Sequence, residues 1–228
     1  MGITCLYYTC NRIPESFAIR VRNHLLETIN GEIPIISISQ KPISFGENIH
    51  VSGLQPSIYN VYKQILIGAE KAKTKYVACV EDDTLYNIDH FRFIPPSDDT
   101  FYYNRNRWKI NENRFSFSRI RRHPTGKGMC VCIASRELMI ETLKKRFEKY
   151  PEEPKTGLAA FGEPGRYEYR IGLDVPKSDS FSTSIPVVTF NHRFSLSGAR
   201  RFSASDNVQK ELPYWGKAED LWKRMWSN

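Results

Sequence analysis

No apolar run in this 228-residue chain approaches the roughly 18 residues that a membrane-spanning helix needs. The opening MGITCLYYTCNR has neither a basic stretch nor a small-residue cleavage site, so it does not read as a signal peptide. Leu6 stands where a myristoylation signal wants Ser or Thr. The expectation is a cytoplasmic protein with no membrane insertion. Cysteines are few and odd in number, at positions 5, 10, 79, 130 and 132. None forms a CxxC pair, which argues against structural zinc. Most lie in apolar, strand-like runs, where reduced and buried thiols are expected. There is no internal repeat and no low-complexity segment, so one globular domain is the default.

Hydrophobic residues make up 40% of the chain and charged residues 25%, enough to bury a core without staples. The charge is unevenly placed. The net value is +8, and Arg105, Arg107, Lys109, Arg114, Arg119, Arg121 and Arg122 crowd one stretch. Arg193, Arg200 and Arg201 form a second cluster. A basic excess attracts anions. Nucleotide diphosphate, phosphorylated glycan and nucleic acid all fit, and so does an ordinary solvated face.

Residues 3–9 are apolar and β-branched enough for a buried first strand, which Asn11-Arg12 ends. Pro14 suits the first turn of a helix, and Phe17, Ile19, Val21, Leu25, Leu26 and Ile29 carry its imperfect stripe to a stop at Asn30-Gly31. A second strand follows at 33–38. A helix over 56–73 has Ile58, Val61, Tyr62, Ile65, Leu66 and Ala69 on one face. The third strand, 76–80, runs directly into Glu81-Asp82-Asp83. This βαβαβ order predicts an α/β fold with a mostly parallel sheet, whose ligands bind beyond the carboxyl ends of the strands. The second half is less regular. Strands are expected at 101–103, 115–117, 128–134 and 185–191, with a basic, aromatic loop around Trp108. An amphipathic helix is expected over 136–150, and a closing helix over 217–226 whose tryptophans dock on the domain. The aromatic residues Phe101, Tyr102, Tyr103 and Trp108 alternate with Arg105, Arg107 and Lys109, a mixture that suits base or sugar stacking as well as a core strand beside a polar loop.

Three consecutive carboxylates at a strand end repel one another unless a cation neutralises them. Hard oxygen ligands suit Mg²⁺ or Mn²⁺, which also hold substrate phosphates. Acidic residues also cap turns after strands. His192 ends a later strand, VVTFN, and Arg200-Arg201 follow close by, offering positive charge for phosphate oxygens. A lone histidine is more often structural. Its place at a strand end makes recruitment by the same metal the alternative.

In order along the chain, TCNR after the first strand, the Glu81-Asp82-Asp83 triplet and NHRFSLSG resemble the motifs of GT-A type glycosyltransferases. The triplet stands where the family's DxD motif does, and the whole resembles small phage and bacterial family 2-like members over residues 1 to about 200. The resemblance implies a GT-A (Rossmann-like) single domain over 1–205, with a nucleotide-binding half at 1–86 and an acceptor half at 87–205. A C-terminal helical tail, 206–228, packs on it. It implies that Thr9, Asn11 and Arg12 contact the nucleotide, that Ser39 or Gln40 borders the base, and that Gln64 faces the same side. Asp83 and His192 would hold Mn²⁺ or Mg²⁺, with Glu81 or Asp82 on ribose or metal and Arg200 at the phosphates. The donor implied is a UDP-sugar. Glu163 or Glu168 of FGEPGRYEYRIG would be the catalytic base, although the usual Glu-Asp pair is absent and either residue would also pair with Arg166 or Arg170. The alternatives are a nucleotidyltransferase and a non-catalytic basic nucleic-acid-binding protein. The first normally wants a Gly-rich loop that TCNRIPESF lacks, and the second shows no recognisable binding motif. The charge and the phage-like resemblance together point to modified bases of phage DNA as one acceptor.

Overall fold

The computed structural model describes residues 2–111, 114–120, 127–154, 161–166, 168–196 and 206–227. The first half alternates as β1 (Ile3–Thr9), α1 (Glu15–Ile29), β2 (Ile35–Ser39), β3 (Glu47–His50), α2 (Ile58–Lys71) and β4 (Tyr76–Glu81). Asn30 ends α1 in the left-handed region at φ 43, its amide bonded to Leu26 O at 2.9 Å. Ser57 opens α2 by accepting the Asn60 amide at 3.1 Å. Then come β5 (Thr84–Leu85), α3 (Ile88–Arg92), β6 (Thr100–Asn104), β7 (Arg107–Asn111), β8 (Phe117–Ile120), β9 (Cys132–Ser135) and α4 (Arg136–Lys149). The chain closes with β10 (Lys177–Phe181), β11 (Val187–Asn191), β12 (Asp206–Gln209) and α5 (Ala218–Trp226).

Seven strands form the main sheet in the order β10-β6-β9-β4-β1-β2-β3. Only β9 runs against its neighbours, so the sheet is mostly parallel and carries helices on its faces. Helix α2 lies so close to β2 that a Cβ on Gly68 would come within 2.5 Å of Ile38 Cδ1. One core layer joins Leu6, Ile38, Tyr62, Ile65, Val77, Met139 and Leu143. At roughly 1.5–3 kcal/mol for each large apolar side chain removed from water, this layer is a main source of stability.

A second sheet, β12-β8-β7-β11-β5, stands beyond the carboxyl ends of β1 and β4. Strand β7 runs parallel to β11, with Trp108 opposite Val188 and Ile110 opposite Phe190. This apolar face packs with Ile13 and Phe17 from the α1 side and with Leu221, Trp222 and Met225 of α5. The other face carries Arg107, Lys109, Thr189 and Asn191 toward the space between the sheets.

This sheet corrects several expectations. The stretch expected as a loop around Trp108 is strand β7, because alternate residues Trp108 and Ile110 find an apolar partner layer. The strand expected at 128–134 is a 3-10 turn at Met129–Val131 followed by β9, and the one expected at 115–117 lies at Phe117–Ile120. Phe101, Tyr102, Tyr103 and Trp108 are all buried, so these rings are core and stack no base. Strands β3, β10 and β12 and helix α3 have no counterpart in the sequence reading. Among the described residues no helix is long and apolar enough to cross a membrane.

Candidate active site

A cavity of about 210 Å³ opens between the two sheets. Tyr8, Thr9, Arg12, Glu81, Asp82, Asp83, Arg107, Lys109, Asn191, His192 and Phe194 line it. The register of β1 on β4 sets Tyr8 beside Glu81. The Tyr8 hydroxyl donates to Glu81 Oε1 at 3.0 Å, and the Thr9 hydroxyl donates to Asp82 Oδ2. The last two residues of β1 therefore steady the first two carboxylates. Asn11, at φ 52, turns the chain away from the strand; its amide donates to Thr9 Oγ1 at 2.9 Å, and its Oδ1 accepts the Lys41 amide at 2.8 Å.

Ser39, Gln40 and Gln64 stand behind this wall and do not line the cavity. Gln64 is buried and donates to Thr9 O at 2.9 Å and Ile38 O at 2.8 Å, tying the ends of β1 and β2 together. Ser39 is buried and accepts from Asn48 Nδ2 at 2.9 Å. The Gln40 amide reaches Thr9 O at 3.3 Å. Arg200 lies outside the described residues.

The triplet is crowded with negative charge. Burial pushes the Glu81 carboxyl up to about 8; Asp83 adds to the effect, while the Tyr8 bond and Arg107 oppose it. Burial and then Asp83 push Asp82 up to about 7, against the Thr9 bond and His192. Asp83 accepts the Thr84 hydroxyl at 3.0 Å. Its Oδ2 lies 3.3 Å from His192 Nε2. His192 is 1% exposed, and Nε2 has no hydrogen-bond partner. The Phe194 amide donates to Nδ1 at 3.1 Å, so the proton of the neutral ring sits on Nε2 and an ion taken up there displaces it.

Hard carboxylate oxygens and an imidazole nitrogen suit Mg²⁺ or Mn²⁺, and the orphaned Nε2 beside Asp83 fits such an ion. Among the described residues no group of three or more His, Cys, Asp or Glu is arranged to hold a metal alone. An ion bound by Asp83 and His192 would need its remaining ligands from substrate and water.

The two candidate bases differ. Glu168 and Arg146 form an ion pair with side chains 1% and 0% exposed. Glu168 Oε2 also accepts the amides of Gly165 at 3.0 Å and Arg166 at 3.2 Å. Glu168 thus has both oxygens engaged away from the cavity and anchors the segment that carries Glu163. Glu163 is partly exposed and stands 3.8 Å from Arg166. Neither glutamate lines the cavity.

No family model matches the chain, and no curated protein matches it. Solved structures do. S. aureus TarS 1–349, in complex with UDP-GlcNAc, superposes with a TM-score of 0.50 at 13% identity, over 83% of this chain and 58% of that one. The fold is GT-A-like. A glycosyltransferase involved in glycosylation of the major capsid of PBCV-1 matches at a TM-score of 0.49 and 12% identity, over 83% of this chain and 93% of that one. A nucleotidyl transferase from Methanothermobacter thermautotroptrophicus matches at 0.48 and 12%, over 81% and 88%. The chain spans 37% of the longer TarS structure. At these identities the likeness is one of fold.

Within the GT-A-like frame, residues that the sequence reading did not assign to the site also reach the cavity: Tyr8, Arg107, Lys109, Asn191 and Phe194. Tyr8 and Asn191 sit beside residues already singled out, Thr9 and His192. Arg107 and Lys109 carried a signal too, since they alternate with Trp108 and Ile110 at strand period. Their basic surroundings read as loop.

Proposed function

We propose that this chain is a metal-dependent glycosyltransferase that moves a sugar from a nucleotide-sugar donor, a UDP-sugar first, to an acceptor hydroxyl. The observation that carries the reading is the convergence of three strand ends on one cavity: Thr9 of β1, the carboxylates after β4 and His192 after β11. Ligands of mostly parallel sheets bind at such strand ends. In this reading residues 1–86 receive the donor, 87–205 shape the acceptor side and 206–228 form a tail on the domain.

Thr9, Asn11 and Arg12 meet the nucleotide. Ser39, Gln40 and Gln64 hold the loop that carries them. Glu81 or Asp82 takes the ribose hydroxyls, and Arg200 the phosphate oxygens. Asp83 and His192 hold Mn²⁺ or Mg²⁺, which when bound offsets charge on the departing diphosphate as a Lewis acid. Glu163, which unlike Glu168 is not locked in a buried pair, takes the acceptor proton. The net charge of +8 favours an anionic acceptor. Hydroxymethylated DNA is the first to try, in a cytoplasmic setting.

The test is a binding and hydrolysis screen of nucleotide sugars with Mn²⁺, Mg²⁺ or EDTA. The expected result is slow, metal-dependent hydrolysis of one donor, abolished in Asp83→Asn and His192→Ala while their melting temperatures hold. Full activity in either variant would sink the metal assignment. Pyrophosphate release from a nucleoside triphosphate would identify a nucleotidyltransferase instead, although the loop from Cys10 to Pro14 carries no glycine. DNA affinity that falls steeply with salt, with no transfer at all, would leave a binding protein.

A further inference from the structure

Arg107 is a cation of this cavity to which the reading above gives no task. It stands at the start of β7, on the polar face of the second sheet, and lines the same wall as Lys109. A guanidinium carries five N–H donors in a rigid fork. Among the described residues its hydrogen bond goes to Cys130 Sγ at 3.1 Å, and it forms no salt bridge. Burial opposes its charge, and the Cys130 thiol, Glu81 and Glu163 outweigh that effect, so the group stays a cation. A partly buried guanidinium that forms no salt bridge among the described residues is a costly group for a fold to keep for packing alone.

The chain also makes room for it. Gly128 has φ −156 and ψ 142, an extended backbone that any residue adopts. A Cβ there, however, would overlap Arg107 Nη1 and come within 2.8 Å of Cζ. An alanine there would leave the backbone unstrained and push the guanidinium, the far end of a flexible side chain, out of this seat. The seat is linked to the triplet as well: Cys130 Sγ lies 3.8 Å from Thr189 Oγ1, the Thr189 and Thr84 hydroxyl oxygens lie 3.3 Å apart, and Thr84 donates to Asp83 Oδ1 at 3.0 Å.

We propose that Arg107, seated on Gly128 and Cys130, is a phosphoryl-binding residue of this cavity, its remaining donors gripping two oxygens of one phosphoryl group of the substrate. A planar fork suits that task better than a lysine does. The diphosphate of a donor and a phosphate carried by an acceptor share this chemistry. The proposal rests on the glycosyltransferase reading only for which of these substrates the cell provides.

The experiment titrates wild type, Arg107→Lys, Arg107→Gln and Gly128→Ala with inorganic pyrophosphate, UDP and glucose 6-phosphate, with and without Mn²⁺, and records melting temperatures alongside. Arg107→Gln should weaken the relevant anion roughly 10- to 100-fold, the size expected for hydrogen bonds to a charged group. Arg107→Lys should recover part of the loss because the charge remains. Gly128→Ala should weaken binding with the arginine still present, a result that loss of bulk charge does not produce. Losses confined to pyrophosphate and UDP identify the donor's diphosphate; losses confined to glucose 6-phosphate identify an acceptor phosphate. Equal affinities in all four proteins, or a wild type that binds none of the three anions, overturn the proposal. Arg107-dependent pyrophosphate binding without binding of any UDP-sugar would keep this inference and remove the proposed function. UDP-sugar turnover with anion affinities unchanged in Arg107→Gln would do the reverse.

Discussion

Replacing Glu168 with glutamine separates a scaffold role from a catalytic one. Arg146 projects from α4 with its side chain 0% exposed; Nη1 donates to Gly162 O at 2.7 Å, and the guanidinium lies over the rings of Tyr62 at 5.1 Å and Phe161 at 5.3 Å. Its charge is met by Glu168. Neutralising Glu168 leaves a buried cation without its anion, which costs about 3–5 kcal/mol. That is a large part of the roughly 5–15 kcal/mol that holds a domain together. For a chain of this size each kcal/mol moves the melting temperature by about 2–4 °C, so the expected drop is roughly 6–20 °C. The assay is thermal unfolding followed by circular dichroism, with donor binding measured well below the midpoint. Replacing the pair together, as Arg146→Met with Glu168→Leu, should cost less than Glu168→Gln alone, because no charge is stranded. A Glu168→Gln protein that melts within 2 °C of wild type, on the order of 1 kcal/mol or less, yet has lost turnover would refute the reasoning and return Glu168 to the chemistry.

Stability should also follow pH through the triplet. Glu81 and Asp82 hold their protons up to about 8 and about 7 in the fold, against 4.5 and 3.8 as ordinary carboxyls. The native state therefore binds more protons than the unfolded chain across that window, and the stability this contributes is lost as pH rises through the folded values. The metal-free protein should melt lower at pH 9 than at pH 6, and Glu81→Gln should flatten that slope; a melting temperature that climbs over the same range contradicts the assignment. Gly68→Ala should lower the melting temperature by pushing α2 off Ile38, whereas Gly31→Ala, where a Cβ meets no other atom but φ is 76, tests backbone strain alone. Truncation after Lys217 removes Leu221, Trp222 and Met225 from the core of the second sheet, a loss of roughly 5–9 kcal/mol by burial. The shortened chain should fail to give a cooperative melt, and a normal one would show the tail to be dispensable.

The regular half of the fold was legible because its physics is local. A strand buried on both faces must be apolar along its length, and Ile3–Thr9 and Tyr76–Glu81 are so until their last residues. A helix on such a sheet must show a stripe, as Ile58–Lys71 does. The carboxylates after β4 announced themselves by being costly side by side. The edge strands did not: Glu47–His50 and Lys177–Phe181 are polar because one side of each meets no partner strand. The segment Arg107–Asn111 was ambiguous because its alternation sits among basic residues.

Sequence alone also grouped Thr9, Arg12, the triplet and His192, since each ends or follows a recognisable strand. Tertiary structure decided the rest of the cavity wall. Arg107 lies 24 residues after Asp83, in no motif or pattern tied to the triplet, and what brings it there is the parallel pairing of β7 on β11. The separation of Glu168 from Glu163 was equally hidden, because only the packing of α4 shows which glutamate meets Arg146. Strand identity follows from the residues within it. Which strand ends share a cavity follows from long-range pairing, and burial then sets which charges remain free to act.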